Sequence, residues 1–270
     1  MAPILLSIAG FDPTGGAGLL LDIRVFNSLG WNGMGITTAV TAQNTREVLD
    51  VFCVSRASLA RQYEALRGDV TIAGIKIGML GCKKHLAGVR RILDDNQGLP
   101  VVADMVLNSS SGFRLFEESA LEAYLGLIKG RVTLITPNIP EAVLLLDRNI
   151  TSLSQMEKAA VELQQRTGAS CLLKGGHLSG RKVDILYDGH KVCRFSHPEI
   201  RKDVHGTGCF LSSALLAGLA SGRPIHEVAE TAVGQTLTAI KNSEAVGKGQ
   251  YLFDLARSRT GVAAETRPGG

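Results

Sequence analysis

The chain has 270 residues, 45% hydrophobic and 20% charged, with a net charge of +4. That length suits one large α/β domain or two small ones. Aromatic content of 5%, with no lysine- or arginine-rich run, excludes a nucleic-acid footprint or a base-stacking platform. No stretch approaches about 20 uninterrupted apolar residues, which excludes a helical membrane span.

In chain order the apolar patterning predicts strand 4–9, helix 18–29, strands 35–41 and 51–54, helix 59–66, strand 74–79 and helix 84–94. Strand 101–106, helix 119–128, strand 132–136, helices 141–147 and 154–166 and strand 171–174 follow. Strands 183–187 and 192–195, joined by Asp188-Gly189-His190, read as a hairpin, and helices 207–220 and 225–242 close the pattern. Runs 4–9, 101–106 and 132–135 are almost continuously apolar, as strands buried on both faces of a parallel sheet should be.

The expected architecture is a single α/β domain over residues 1–260, a mainly parallel sheet with helices on both faces and right-handed crossovers. Residues 261–270 lack apolar periodicity and are expected to be a disordered tail. The N-terminus has no basic region and too short an apolar run for a secretory leader. Five scattered cysteines (Cys53, Cys82, Cys171, Cys193, Cys209) without a C-x-x-C pair speak against a disulfide framework and a structural zinc site. A reducing cytoplasm is the expected compartment.

In open α/β sheets ligands sit beyond the carboxyl ends of the strands, and the unusual residues fall there. Gly15-Gly16-Ala17-Gly18 is neither a Walker A loop nor a dinucleotide fingerprint, but its glycines would let backbone approach a flat substrate. Asp22 follows one helical turn on, facing either the cleft or solvent. Gln43 and Asn44 offer paired donors and acceptors to a heterocycle, or form an ordinary polar loop. Asp104 ends an apolar strand, where a carboxylate needs a charge partner. Asn138 and Glu141 suit helix capping, or magnesium held through water. Lys174 could neutralise a migrating phosphoryl group, or pair internally with Asp104. His177 and His205 lack metal-ligand spacing and read as surface or hydrogen-bonding histidines.

His205-Gly206-Thr207-Gly208-Cys209 opens an apolar helix. Glycines at a helix start let backbone N–H groups converge on an anion, and the same field would ease ionisation of the Cys209 thiol. The alternative is a glycine-rich loop with Cys209 as a small buried hydrophobe.

Taken in order, these stretches resemble the ribokinase-like superfamily and, within it, the hydroxymethylpyrimidine/phosphomethylpyrimidine kinase family. The resemblance covers roughly residues 3–250. It rests on Ala9-Gly10-x-Asp12-Pro13-x-Gly15-Gly16-Ala17-Gly18 with Asp22, Thr41-Ala42-Gln43-Asn44-Thr45 and Lys76-Ile77-Gly78-Met79-Leu80. It continues through Thr136-Pro137-Asn138-x-Pro140-Glu141-Ala142, Leu173-Lys174-Gly175-Gly176-His177 and His205-Gly-Thr-Gly-Cys209.

The resemblance implies a three-layer α/β/α fold and ATP-dependent phosphorylation of 4-amino-5-hydroxymethyl-2-methylpyrimidine and then of its monophosphate, in thiamine diphosphate biosynthesis. It implies Gly10, Asp22, Gln43 and Met79 around the pyrimidine, and Asn138, Lys174 and Thr207 at the ATP phosphates. Glu141 and Asp104 would organise Mg²⁺. Gly206 and Gly208 would shape the anion hole, with Lys174 at the moving phosphoryl group and Cys209 in the base position. A homodimer is implied, with no nucleic-acid or membrane partner. Departures from the pattern are Phe11 in the substrate loop, Met105 after Asp104, the stretch 108–112, and Val204 and Phe210 beside the catalytic segment. A pyridoxal kinase of the same fold is the neighbouring reading, and a non-catalytic pyrimidine-binding module the more distant one.

Overall fold

A computed structural model describes residues 2–109, 112–176 and 182–255. His177, Ser110, Ser111 and the tail 261–270 lie outside the described residues.

Nine strands form one sheet in the order β3-β2-β1-β4-β5-β6-β7-β8-β9. They are β1 (Ile4–Phe11), β2 (Asn32–Gln43), β3 (Val48–Cys53), β4 (Ile72–Ile77), β5 (Val101–Ala103), β6 (Leu134–Ile135), β7 (Ser170–Leu173), β8 (Lys182–Tyr187) and β9 (Val192–His197). From β2 to β7 all neighbours are parallel, while β3, β8 and β9 pair antiparallel. The helices are α1 (Gly18–Ser28), α2 (Arg56–Arg67), α3 (Leu86–Asp95), α4 (Leu121–Ile128), α5 (Ile139–Leu146), α6 (Leu153–Thr167), α7 (Thr207–Ala220) and α8 (Ile225–Lys241).

Period-two alternation sorts the side chains into two cores. Ile4, Leu6, Ile8, Ile75, Ile77, Val101 and Ile135 pack with α2 to α6, whereas Leu5, Val102, Leu134 and Leu172 pack with α1, α7 and α8. This is the expected three-layer arrangement, and it explains the continuous apolar runs. Local signals start the helices: Ser55 caps α2, Ser152 caps α6, and Asn138 with Glu141 forms a capping box on α5.

β5 and β6 are shorter than their apolar runs. Beyond Ala103 the chain turns Asp104 toward the cleft, although the Asp104 N–H still donates to the Ile77 carbonyl at 2.8 Å. Met105 is buried in the larger core. Among the described residues no helix is long and apolar enough to cross a membrane.

Candidate active site

The carboxyl ends of the parallel strands and the start of α7 enclose a cleft of about 660 Å³. Gly10, Asp22, Gln43, Met79, Asp104, Asn138, Glu141, Lys174, Gly206, Thr207, Gly208 and Cys209 all border it, so every residue singled out as a site candidate meets there.

On its polar floor Lys174 Nζ lies 3.0 Å from Asp104 Oδ1, which also accepts from the Thr136 hydroxyl at 3.1 Å. The interior ion pair and the cleft position are therefore both realised. Burial works against the Asp104 charge, but Lys174 and Lys76 outweigh it and hold the carboxyl below its usual range. Burial likewise opposes the Lys174 charge, yet Asp104 and Glu141 raise it, so the ammonium stays charged. Burial and the nearby Asp104 charge push the Glu141 carboxyl up, against the pull of Lys174. Glu141 takes the capping reading: Oε2 accepts from the Asn138 N–H at 2.9 Å, and Oε1 from the Leu107 N–H at 3.4 Å.

Among the described residues no side chain caps α7, whose first N–H groups have no acceptor within the helix. Gly206 precedes it in the left-handed region, φ 78°, and a Cβ there would stand 2.0 Å from the Gly16 carbonyl oxygen. The glycine-rich loop and the α7 entrance thus touch backbone to backbone. A Cβ on Gly208 would stand 3.1 Å from Lys174 Nζ, which puts the ammonium directly against the helix start.

Two expectations need correction. The Cys209 thiol is not eased toward ionisation: burial, with Asp22 and Asp104 nearby, outweighs Lys76 and pushes it up to about 11. Asp22 is neither solvated nor open to a ligand. It borders the cleft from beneath with no exposed surface, its carboxylate engaged by Lys76 Nζ, by the Ser7 hydroxyl at 2.6 Å and by Ser213 at 3.0 Å. Burial raises the Asp22 carboxyl against these partners, while for Lys76 the attraction of Asp22 outweighs burial and raises the ammonium. Phe210 does not reach the cleft. It packs against Phe253, ring centroids 5.0 Å apart, in the core beneath α7.

Sequence reasoning missed Lys76 and Asp12 as organising residues. Lys76 is fully buried and also donates to the Cys209 carbonyl at 3.3 Å, tying β4 to α7. Its signal was a charge inside the apolar run Ile75-Lys76-Ile77, the same one that exposed Asp104. Asp12 gathers the glycine-rich loop, accepting from the Thr14 N–H at 2.9 Å and the Ala17 N–H at 3.0 Å. His205 Nε2 lies 2.9 Å from Asp12 Oδ2 and 2.7 Å from the Gln43 amide nitrogen, so it is a hydrogen-bonding histidine. Asn44 makes the ordinary loop, accepting from the Arg46 and Glu47 N–H groups.

A mainly parallel sheet, an uncapped helix start and a lysine beside buried carboxylates define a ribokinase-like phosphotransferase. The phosphomethylpyrimidine kinase family matches residues 12–254, and the chain belongs to that family. It is 40% identical over 254 residues to the hydroxymethylpyrimidine/phosphomethylpyrimidine kinase of Aquifex aeolicus, covering 93% of this chain and 100% of that one. The phosphomethylpyrimidine kinase structure from Clostridium difficile superposes with a TM-score of 0.77 at 32% identity, over 89% of this chain and 100% of that one. The Staphylococcus aureus pyridoxal kinase in complex with pyridoxal superposes with a TM-score of 0.86 at 26% identity, over 94% of each chain.

Proposed function

We propose that this chain, as one kinase domain over residues 1–260, transfers the ATP γ-phosphoryl group to the primary hydroxyl of 4-amino-5-hydroxymethyl-2-methylpyrimidine, and a second to the monophosphate, in thiamine diphosphate biosynthesis. The observation that carries this reading is a single cleft bordered both by Lys174, the start of α7 and Cys209 and by Gly10, Gln43 and Met79. In a loose phosphoryl-transfer transition state, positioning and charge neutralisation dominate. Lys174 and the α7 backbone supply the positive field, with Thr207 and Asn138 at the ATP phosphates.

The Cys209 thiol is protonated at rest, so it acts as base only from the thiolate form, after losing its own proton to solvent, and then takes the acceptor proton as bond formation makes that oxygen acidic. The phosphate acceptor of the second step is already anionic and needs no base. Asp104, Glu141 and Asn138 make an oxygen donor set that suits Mg²⁺. The Glu141 oxygens receive backbone N–H groups, so it and Asp104 would hold the ion through its water shell. When bound, Mg²⁺ neutralises charge on the ATP phosphates.

ATP consumption measured with pyrimidine alcohol, pyrimidine monophosphate and pyridoxal in parallel tests the reading. Turnover with both pyrimidines, exceeding that with pyridoxal, is expected. The close superposition on the pyridoxal kinase favours one second reading, and turnover with pyridoxal alone would establish it. Retention of Asp104, Glu141, Lys174 and Cys209 speaks against a non-catalytic binding module, which silence with all three acceptors would restore. We also assign a homodimer on family grounds, to be checked by light scattering.

A further inference from the structure

At the β9 end of the sheet, the β8–β9 turn meets the start of α8. Asp188 in the turn has Oδ2 2.6 Å from His226 Nε2. Cys193 on β9 has Sγ 3.3 Å from His226 Nδ1. A thiol, an imidazole and a carboxylate therefore stand in succession, with the sulfur and the carboxylate on opposite nitrogens of one ring. None of the three borders the cleft.

Local structure accounts for the arrangement. β9 is the last strand of the sheet, and its alternation sends Arg194 to Glu157 of α6 while Cys193 and Phe195 turn toward the core of α7 and α8. At that edge Cys193 is only half-buried. Asp188 is fixed by its own turn, Oδ1 accepting from the His190 and Lys191 N–H groups, both at 2.8 Å. Oδ2 is thereby left for the ring. His226 is the second residue of α8, so the helix sets its backbone.

Proton counting assigns the roles. A carboxylate only accepts, so Nε2 carries the ring proton. Burial would raise the Asp188 carboxyl, but the Lys191 and His190 N–H groups and His226 bring it down to about 2, which keeps it an acceptor. The neutral ring then presents a bare Nδ1 to the sulfur, and the thiol S–H is the donor that answers it. Moving that proton onto Nδ1 leaves a thiolate beside an imidazolium, and Asp188 stabilises the charge the ring acquires. Pinning the turn to α8 takes Asp188 and His226 alone; the thiol on the other nitrogen adds a nucleophile to that tie. Cys53 and Cys82 are half-buried too, but His85 beside Cys82 already faces the Leu80 and Val54 carbonyls with its two nitrogens. They serve as internal controls.

We propose that Cys193 is a nucleophilic thiol, with His226 as its base and Asp188 as the residue that positions the base, and that it is a modification site for disulfides of small thiols. The Cys193 sulfur attacks one sulfur of the disulfide as its proton passes to His226 Nδ1. The S–S bond of the reagent breaks and a mixed disulfide forms on Cys193. The departing thiolate takes the proton from Nδ1 and leaves as a thiol. One disulfide is consumed and one is formed, so no further oxidant enters. Linear spacing concealed the site, because its base arrives from α8, beyond the whole of α7.

The test mixes reduced full-length protein with excess oxidised glutathione at neutral pH, quenches with acid at intervals and follows each cysteine by peptide mass mapping. Cys193 should be modified faster than Cys53 and Cys82. His226→Gln, which keeps a polar side chain but takes up no proton, should slow Cys193 by about 10²-fold while the other cysteines keep their rates. His226→Ala should be as slow, although it widens access to the sulfur. Asp188→Asn can still hold the turn and should slow Cys193 by itself, yet make no further difference in His226→Gln, since it acts through the ring. A merely structural Asp188 would show its full effect in both backgrounds. Cys193 reacting no faster than Cys53, a Cys193 rate unchanged or raised in the His226 variants, or a slowing shared equally by Cys53 and Cys82 would overturn the proposal. None of these readouts depends on kinase turnover.

Discussion

Lys174 Nζ stands 3.0 Å from Asp104 Oδ1 at the floor of the cleft, and each group holds the other in its charged form. The pair is at once internal support and part of the phosphate-binding field, and those two roles separate experimentally. Lys174→Ala should lower kcat by about 10²–10³ for the alcohol and the phosphate acceptor alike, because both transfers need the moving charge neutralised. It should also cost stability, about 3 kcal/mol, by leaving Asp104 buried without its partner. Lys174→Met combined with Asp104→Leu should recover most of the stability and none of the activity in urea melts and steady-state assays. A double variant as unstable as Lys174→Ala would refute the ion-pair account.

The Cys209 thiol, pushed up to about 11, makes the first transfer pH-dependent in a defined direction. Only the deprotonated thiol accepts a proton, so log kcat/KM for the pyrimidine alcohol should climb with pH across the neutral and mildly alkaline range. The same quantity for the monophosphate should show no such climb. Cys209→Ala should reduce turnover of the alcohol by about 10²–10⁴ and that of the phosphate far less. Equal losses for both acceptors would remove Cys209 from the base position.

Asp22 and Lys76 form a fully buried pair joining α1, β4 and, through the Cys209 carbonyl, α7. Lys76→Met alone should destabilise the fold by about 3–5 kcal/mol, since Asp22 would keep its place without a counter-charge. Joining it to Asp22→Leu should return the urea midpoint close to wild type. A single variant that loses less than about 1 kcal/mol would show that the pair is not the tie it is taken to be.

Gly206→Ala meets two obstacles, a left-handed backbone and a carbonyl oxygen 2.0 Å from the new Cβ. Displacing the α7 entrance by this route should lower kcat/KM by about 10²-fold, as small misplacements of reacting groups do. Gly222 shares the conformation, φ 76°, with nothing within 4 Å of its Cβ position. Gly222→Ala should therefore cost only the backbone term of about 1–2 kcal/mol, with kinetics unchanged. Parallel kinetic and thermal measurements on the two variants separate clash from strain.

Much of the fold was legible because its signals are local. Apolar runs bounded by glycine and proline marked the strands, and Asn138 with Glu141 announced a helix start three residues apart. The site was legible as a set of strand ends, and Asp104 betrayed itself as a carboxylate after an apolar run. What escaped depended on distant partners. Asp22 looked free to face a ligand until Lys76, Ser7 and Ser213 closed around it from other elements. Cys209 looked activated by its helix until burial set the opposite sign. Phe210 followed the catalytic segment in the chain yet turned its ring toward Phe253.

The contact between the Gly16 carbonyl and Gly206 carries a consequence for how such a cleft diversifies. The loop that meets the acceptor and the helix that meets the phosphates touch through main chain there, and the Asp12–His205 contact ties the same two segments through side chains. Phe11 and Val204, which border the cleft, take part in neither contact. Choice among ring-bearing alcohols is thereby open to drift, while the phosphoryl-transfer geometry is inherited as a rigid frame.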